Sequence, residues 1–202
     1  MNHMKKAIAV LLAVMLMIPA MAANAATASP AKKSIAKVDY MKAVTKVYNK
    51  KNQKPKLTVK IGKNTLKEGR DYVIVEQKWV NAGKYVVKIK GIGAFRGTKR
   101  TYYTIKQASQ KLTTKKIKSF KANALKKKSH TFTLGARTSG TGKLTYSTAG
   151  TRKSLRKYIK ITKNGTITFK KGTKKGSYKV TIYAKANKNY KAAKKTVVFK
   201  VK

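Results

Sequence analysis

The stretch SYKVTIYAK, residues 177–185, alternates apolar and polar side chains with the two-residue period of a β-strand. The side chains predicted to face a core are Tyr178, Val180, Ile182 and Ala184, and those predicted to face water are Lys179, Thr181, Tyr183 and Lys185. One apolar face and one wet face are typical of an antiparallel sheet with a solvent side. The lysines of this stretch are therefore predicted to form a solvent-exposed row.

The same alternation recurs in KPKLTVKIG (residues 54–62), GKYVVKIKG (83–91) and TVVFKVK (196–202). Asn164-Gly165, between KYIKI and TITFK, predicts a hairpin with a two-residue loop in which both central residues have positive φ. We favour this turn over Asn164-Gly165-Thr166 as a glycosylation acceptor. The best helical candidate, IKSFKANALKKKS (117–129), has too little apolar periodicity to predict a helix. The sequence therefore predicts an all-β protein.

The first 25 residues have the layout of a secretory signal peptide. Lys5 and Lys6 precede an apolar run over residues 7–18, and the small residues Ala23-Asn24-Ala25 form a cleavage site. The run is shorter than the roughly 20 residues that a membrane span needs. We therefore expect a cleaved signal peptide at residues 1–25, a disordered segment at 26–34, and a mature protein that is secreted, extracellular or associated with a cell wall.

Two series of short predicted strands follow, with turn signals roughly every ten residues, as expected of β-sandwiches. The first domain is predicted to span residues 35–106 and the second residues 112–202, joined by the polar linker QASQK at 107–111. The chain contains no cysteine, so its stability is expected to come from packed cores without disulfides.

The charge of the chain is extreme. It contains 51 lysine and arginine residues against 4 aspartate and glutamate residues, a net charge of +47, and lysine greatly outnumbers arginine. Lysine is a hydrated point charge, which favours diffuse attraction over bidentate recognition. An ordinary surface mixes both signs, so we expect an anionic polymer as partner: wall teichoic acid, an acidic glycan or nonspecific nucleic acid. A lysine bias of the source genome would give the same excess, and the oligomeric state is left open.

The candidate polyanion-binding residues are basic and aromatic side chains predicted to face solvent. In the second domain they are Lys170, Lys171, Lys174, Lys175, Lys179, Tyr183 and Lys185. In the first domain they are the outward row Arg100, Tyr102 and Lys106, together with Trp79, which is predicted to be an exposed aromatic anchor in a turn. Aromatic rings beside cationic groups suit stacking or sugar contact along a charged polymer.

Few residues in the sequence are of the types that usually catalyse reactions. His130 is the one histidine left after export, and no acid lies in its domain to orient it as a base. Clusters of cysteine, histidine and carboxylate that would bind a metal are lacking in the sequence. The stretch GIGAFRG (91–97) is followed by a predicted strand where a phosphate-binding loop needs a helix. We therefore expect no enzymatic activity and no cofactor.

The stretch LKEGRDYVIVEQKWVNAGKYVVKIKGIGAFRGTKRTYYTIK (66–106) resembles a repeat of bacterial surface proteins, with its G-x-DY, N-A-G, G-x-G and x-G-T segments in order. GKLTYS (142–147) and the stretch from Asn164 to the end are similar to the bacterial Ig-like module that often follows it. The resemblance covers most of residues 55–202. It departs from the family at Lys78-Trp79-Val80, where the loop is usually polar, and in the extreme charge.

The resemblance implies two tandem Ig-like β-sandwiches used as spacers, stalks or adhesive modules, without catalysis of their own. Our first hypothesis is a noncatalytic adhesion or binding module that attaches electrostatically to anionic polymers. Two alternatives stay open. One is a secreted cationic effector acting on membranes or nucleic acid, and the other is the accessory spacer portion of a cell-wall enzyme.

Overall fold

The computed structural model describes residues 30–116 and 119–202. The predicted signal peptide, residues 1–25, lies outside the described residues. Residues from Lys32 onward form one compact unit that contains two separate hydrophobic clusters. Within the described ranges, no helix has the length and apolar character needed to cross a membrane.

The first cluster lies between two antiparallel-rich sheets. Its elements are β1 (Lys33–Ser34), a 3₁₀ turn (Ile35–Lys37), β2 (Tyr40–Ala43), β3 (Lys46–Val47), β4 (Leu57–Ile61), β5 (Asn64–Thr65), β6 (Tyr72–Ile74), β7 (Gly83–Gly91), β8 (Phe95–Arg96) and β9 (Thr98–Lys106). The strand order is β3-β9-β7-β6 in one sheet and β2-β4-β5 in the other, and β1 pairs with β8. Val59 of β4 and Val87 of β7 are both fully buried in the shared core, so the arrangement is a β-sandwich.

The second cluster also lies between two sheets. Its elements are β10 (Leu112–Thr113), α1 (Ala122–Lys127), β11 (His130–Thr133), β12 (Arg137–Thr138), β13 (Leu144–Ser147), α2 (Lys153–Arg156), β14 (Ile159–Ile161), β15 (Thr166–Phe169), β16 (Gly176–Ala184) and β17 (Ala193–Val201). The sheets have the orders β11-β15-β14 and β13-β16-β17, and β10 pairs with β12. Phe169 of the first sheet contacts Tyr178 and Phe199 of the second with ring centroids 5.2 and 5.9 Å apart.

The predicted alternation is confirmed in the strands. Along β16, Tyr178, Val180 and Ile182 are fully buried while Lys179 and Tyr183 are exposed. The same pattern of buried and exposed residues follows β4, β7 and the end of β17. The all-β prediction is therefore confirmed, because apolar side chains at every second position give each sheet one dry face.

Two short helices interrupt the strands, and the sequence analysis predicted neither. The segment 117–129 contains the six-residue α1, whose Ala122 and Leu125 are buried in the second core. These two residues lie three apart, on one side of the helix, so packing against the core stabilises a segment whose periodicity is weak. The four-residue α2 lies between β13 and β14.

The Asn164-Gly165 hairpin forms, but the prediction of a two-residue loop is wrong. Thr162 donates its backbone N–H to the Thr166 carbonyl at 2.9 Å, so the loop contains three residues, 163–165. Gly165 has a φ of 75°, and Asn164 is not among the described residues with positive φ. A single left-handed glycine at the end of the loop is typical of the three-residue hairpin with a bulge, which needs only one such position.

Specific contacts are made by the end of the segment predicted to be disordered (26–34) and by the predicted linker (107–111). Lys33 and Ser34 pair with Phe95 and Arg96, so the segment expected to be disordered over 26–34 is ordered at its last two residues. In the predicted linker 107–111, the buried Gln110 donates through Nε2 to the carbonyl oxygens of Lys185 and Lys191 at 3.1 and 2.7 Å. These bonds tie the linker to the second cluster. The division into two independently folding domains stays a prediction.

Candidate polyanion-binding surfaces

The outer side of the sheet β13-β16-β17 carries Lys179, Tyr183 and, just beyond β16, Lys185 among the predicted binding residues. We call its outward side chains at the C-terminal end of β16 the Tyr183 surface, which consists of Thr145, Tyr183, Lys185 and Lys194. The strand register places Thr145 on one side of Tyr183 and Lys194 on the other. Tyr183 is 44% exposed, so its ring is accessible from solvent between these neighbours.

A shallow hollow of about 660 Å³ lies at the Tyr183 surface. Its lining is largely apolar and includes Ala186 and Ala192 together with the side chains of the Tyr183 surface. Lys194 was missed by the sequence analysis, since only the pairing of β16 with β17 places it next to Tyr183. An aromatic ring flanked by two ammonium groups can contact an acidic sugar or a base on a charged backbone.

The turn cluster, defined as Lys170, Lys171, Lys174 and Lys175, lies beyond the N-terminal end of β16. Backbone bonds attach it to the segment around α1: Gly172 donates to the Leu125 carbonyl at 2.9 Å and Lys171 donates to Ser129 Oγ at 3.0 Å. These contacts bring the turn cluster to the end of α1 that carries Lys126 and Lys127. Those two lysines are not among the candidates predicted from the sequence, because weak apolar periodicity hides the helix that carries them.

Lys179 joins the turn cluster rather than the Tyr183 surface. Lys175, Lys179 and Arg152 line a hollow of about 460 Å³ together with Gly150, Leu155, Gly176 and Ser177. The nine residues of β16 extend about 30 Å, since a strand rises about 3.3 Å per residue. The turn cluster and the Tyr183 surface therefore lie beyond opposite ends of β16, and Lys179 lies about midway between them.

Arg100, Tyr102 and Lys106 lie exposed on the outward side of β9, as predicted. Tyr102 is 62% exposed and lies opposite Val86 of β7, and Arg100 lies opposite Lys88. The Lys84 ammonium lies 3.8 Å from the centroid of the Tyr102 ring, a close cation–π contact. This row is thus a second cationic surface with its own aromatic residue.

The prediction that Trp79 is an exposed anchor is wrong. Trp79 lies outside the strands, as expected of a turn residue, but its side chain is fully buried in the first core. Asn52 Oδ1 accepts a hydrogen bond from the Trp79 backbone N–H at 2.8 Å, and the Trp79 carbonyl accepts one from Gln53 at 2.9 Å. The indole fills the core between the sheets, because removing so large an apolar ring from water stabilises the folded state.

All four aspartate and glutamate side chains of the chain have partners within residues 39–76. Lys54 forms ion pairs of 2.9 Å with both Glu68 and Glu76, and its pKa is raised chiefly by its hydrogen bonds to Glu76 and then to Glu68. Asp39 accepts from the Gly62 N–H at 2.8 Å. The remaining acid, Asp71, is described next. Residues 112–202 contain no aspartate or glutamate to balance their lysines.

Asp71 is almost fully buried and accepts three hydrogen bonds. The Lys67 backbone N–H lies 2.7 Å from Oδ2, and Arg70 donates from Nε to Oδ1 at 2.9 Å and from Nη2 to Oδ2 at 2.7 Å. The hydrogen bond with Arg70 is the largest cause that holds the pKa of Asp71 below its usual value, and the Lys67 N–H adds to it. Asp71 therefore stabilises a turn and is not free to act as a base.

His130 is surrounded by aromatic and basic side chains. Its ring lies 5.2 Å from that of Phe120 and 5.9 Å from that of Phe132, measured between centroids. Among the described residues, no group of three or more histidine, cysteine or acidic side chains is close enough together to hold a metal ion. His130 itself is exposed, and its ring packs against the two phenylalanine rings.

Comparison with known proteins does not identify a family. No family model matches the chain, and no curated protein matches it. Among solved structures, the chain is similar to Drosophila OTK, extracellular domains 3–5, with 13% sequence identity and a TM-score of 0.38. The similarity covers 82% of this chain and 63% of that chain, so it spans less than two thirds of the neighbour's length. The all-β fold is shown by the strands of the structure. The resemblance to bacterial Ig-like repeats stays an interpretation of the sequence.

Proposed function

We propose that the protein is a noncatalytic, secreted or cell-surface binding module of the Ig-like type that attaches electrostatically to anionic polymers. The observation that supports this proposal is the distribution of charge. Lysines project from the outer faces of the sheets, whereas all four acids are engaged by partners within the first domain. Like charges held close on one surface repel each other, and a bound polyanion relieves that repulsion.

The ligand class follows from the kind of contact these surfaces offer. Lysine ammonium groups on long flexible stems provide charge without a fixed geometry, which suits teichoic acid phosphates, glycan carboxylates and nucleic-acid backbones alike. Tyr183, between Lys185 and Lys194, adds one ring for stacking. The turn cluster and the Tyr183 surface are about 30 Å apart along β16, so one extended polymer can contact both.

A binding screen tests the proposal. Teichoic acid, heparin and DNA are immobilised, and the mature chain is eluted with increasing salt. We expect retention at physiological salt and release before about 1 M, where the Debye length has fallen to about 3 Å. Failure to bind any of the three polymers at low salt contradicts the proposal.

Two sets of charge-removing substitutions separate a localised surface from general basicity. The test variant is Lys174→Gln/Lys175→Gln/Lys179→Gln, which removes three exposed charges around one end of β16. The control variant is Lys42→Gln/Lys51→Gln/Lys63→Gln, which removes three exposed charges from the first domain, away from the candidate surfaces. We expect the test variant to elute at clearly lower salt than the control. Equal elution of the two variants contradicts a localised site.

A further inference from the structure

The outer side of β6, β7 and β9 exposes several apolar side chains. We call this the valine face and define it by Val73, Val75, Val86 and Tyr102. Val86 is 51% exposed and Val75 is 43% exposed. These residues are the ones that an alternating strand pattern assigns to the wet side, where threonine or lysine is the usual choice.

The strand register makes these residues neighbours. Val86 lies opposite Tyr102. Val75 donates its backbone N–H to the Lys88 carbonyl at 2.9 Å, which places Val75 beside Lys88, two positions along β7 from Val86. Side chains that lie opposite each other on one face of a sheet are about 5 Å apart and diagonal neighbours are about 7 to 8 Å apart, so the apolar groups form a continuous strip.

Basic side chains surround the strip. Lys88 and Lys90 of β7 lie next to the valines, Arg100 lies opposite Lys88, and the Lys84 ammonium lies over the Tyr102 ring at 3.8 Å. The acid nearest in sequence, Glu76, is held by Lys54 at 2.9 Å. The valine face therefore combines apolar groups with cations and has no free carboxylate among its members.

From this combination we infer that the valine face docks on the surface of an anionic phospholipid bilayer, a contact that shares Arg100 and Tyr102 with the candidate polymer surface but also requires the valines. Val75, Val86 and Tyr102 would lie at the boundary between headgroups and acyl chains, with the basic side chains against lipid phosphates. A bilayer surface supplies both an apolar region and negative charge. A second copy of this chain is disfavoured as the occupant because two valine faces would bring their lysines together. A hydrophilic polyanion gives the valines nothing to contact.

The test measures partition onto vesicles made of equal parts phosphatidylglycerol and phosphatidylcholine, by flotation at about 0.15 M salt. The test variant is Val75→Thr/Val86→Thr, which keeps charge, shape and strand propensity but removes the apolar groups. The matched control is Val198→Thr, since Val198 is an exposed valine, at 48%, on a sheet of the second domain. The emission of buried Trp79 and retention on heparin report that each variant is folded and still binds polymers.

We expect the wild type and Val198→Thr to float with the vesicles and Val75→Thr/Val86→Thr to lose about fivefold or more in partition, with heparin retention unchanged. Equal partition of wild type and double variant overturns the inference, because the valines then contribute no contact. Failure of the wild type to float also overturns it. If the wild type instead dimerises at about 1 M salt and the double variant stays monomeric, the occupant is a second copy and the inference is wrong.

Discussion

Asn189 and Asn81, 108 residues apart in sequence, are joined by a hydrogen bond of 3.0 Å from Asn189 Nδ2 to Asn81 Oδ1. Asn189 Oδ1 also accepts from the Ala82 backbone N–H at 2.8 Å. Next to this pair, the rings of Tyr48 and Tyr190 meet edge to face with centroids 5.3 Å apart. The two hydrophobic clusters are therefore connected by side chains as well as by residues 107–111, which favours coupled unfolding over independent motion.

Asn189→Ala is expected to weaken this coupling. It removes two hydrogen bonds, each of which contributes about 1 kcal/mol, and leaves the Ala82 N–H without its partner. In calorimetry, we expect one unfolding transition for the wild type and two resolved or broadened transitions for the variant. Asn164→Ala, the same change in a surface loop, is the control. Identical thermograms for all three proteins would contradict the coupling.

Asp71→Asn is expected to destabilise the fold by about 2 kcal/mol at neutral pH, since the amide replaces a carboxylate that accepts three hydrogen bonds. The folded-state pKa of Asp71 is lowered by Arg70, so the carboxylate stabilises the fold above its unfolded pKa of about 3.9. This stability is lost as the pH falls through the lowered pKa.

The measurement is urea unfolding of the wild type and of Asp71→Asn at neutral pH and below about pH 3. We expect the difference in the free energy of unfolding between the two proteins to shrink at the acidic pH. Asp39→Asn, which affects a single hydrogen bond, serves as the control and is expected to cost less. A difference for Asp71→Asn that does not change with pH would rule out the carboxylate as its cause.

Gly165→Ala and Gly172→Ala test the hairpin loop as a matched pair. Both glycines have left-handed φ, 75° and 78°, so each alanine costs about 1 kcal/mol in backbone strain. A Cβ at Gly165 would also lie 2.9 Å from Cζ and Oη of Tyr146, whereas one at Gly172 meets nothing within 4 Å. We expect Gly165→Ala to lower the free energy of unfolding by at least about 1 kcal/mol more than Gly172→Ala. Equal losses would show that Tyr146 does not restrict the loop.

Trp79 is expected to report on folding and not on binding. Its indole is fully buried, so its emission should be blue-shifted, resist quenching by acrylamide and stay unchanged when heparin is added. Trp79→Ala should cost about 3 to 5 kcal/mol by leaving a large cavity. A ligand-dependent shift in the Trp79 emission that saturates with binding would restore the exposed-anchor prediction.

Strand periodicity was enough to predict the sheets and which side of each faces water. Lys179 and Tyr183 were predicted on the wet side of β16 from alternation alone, and they are exposed. Trp79 could not be placed this way, because it lies outside a strand, where no period separates inward from outward positions. Lys194 needed the register of β17 on β16, a long-range pairing that local patterns do not specify.

Salt dependence of binding tests the electrostatic mechanism most directly. The dissociation constant of residues 26–202, the chain without the predicted signal peptide, for heparin is measured by calorimetry at several salt concentrations. Its logarithm is plotted against that of the salt concentration. Release of counterions by several bound lysines predicts a steep linear weakening, and Lys174→Gln/Lys175→Gln/Lys179→Gln is expected to make the slope shallower. An affinity that does not change between about 0.05 and 0.5 M salt would contradict attachment by charge.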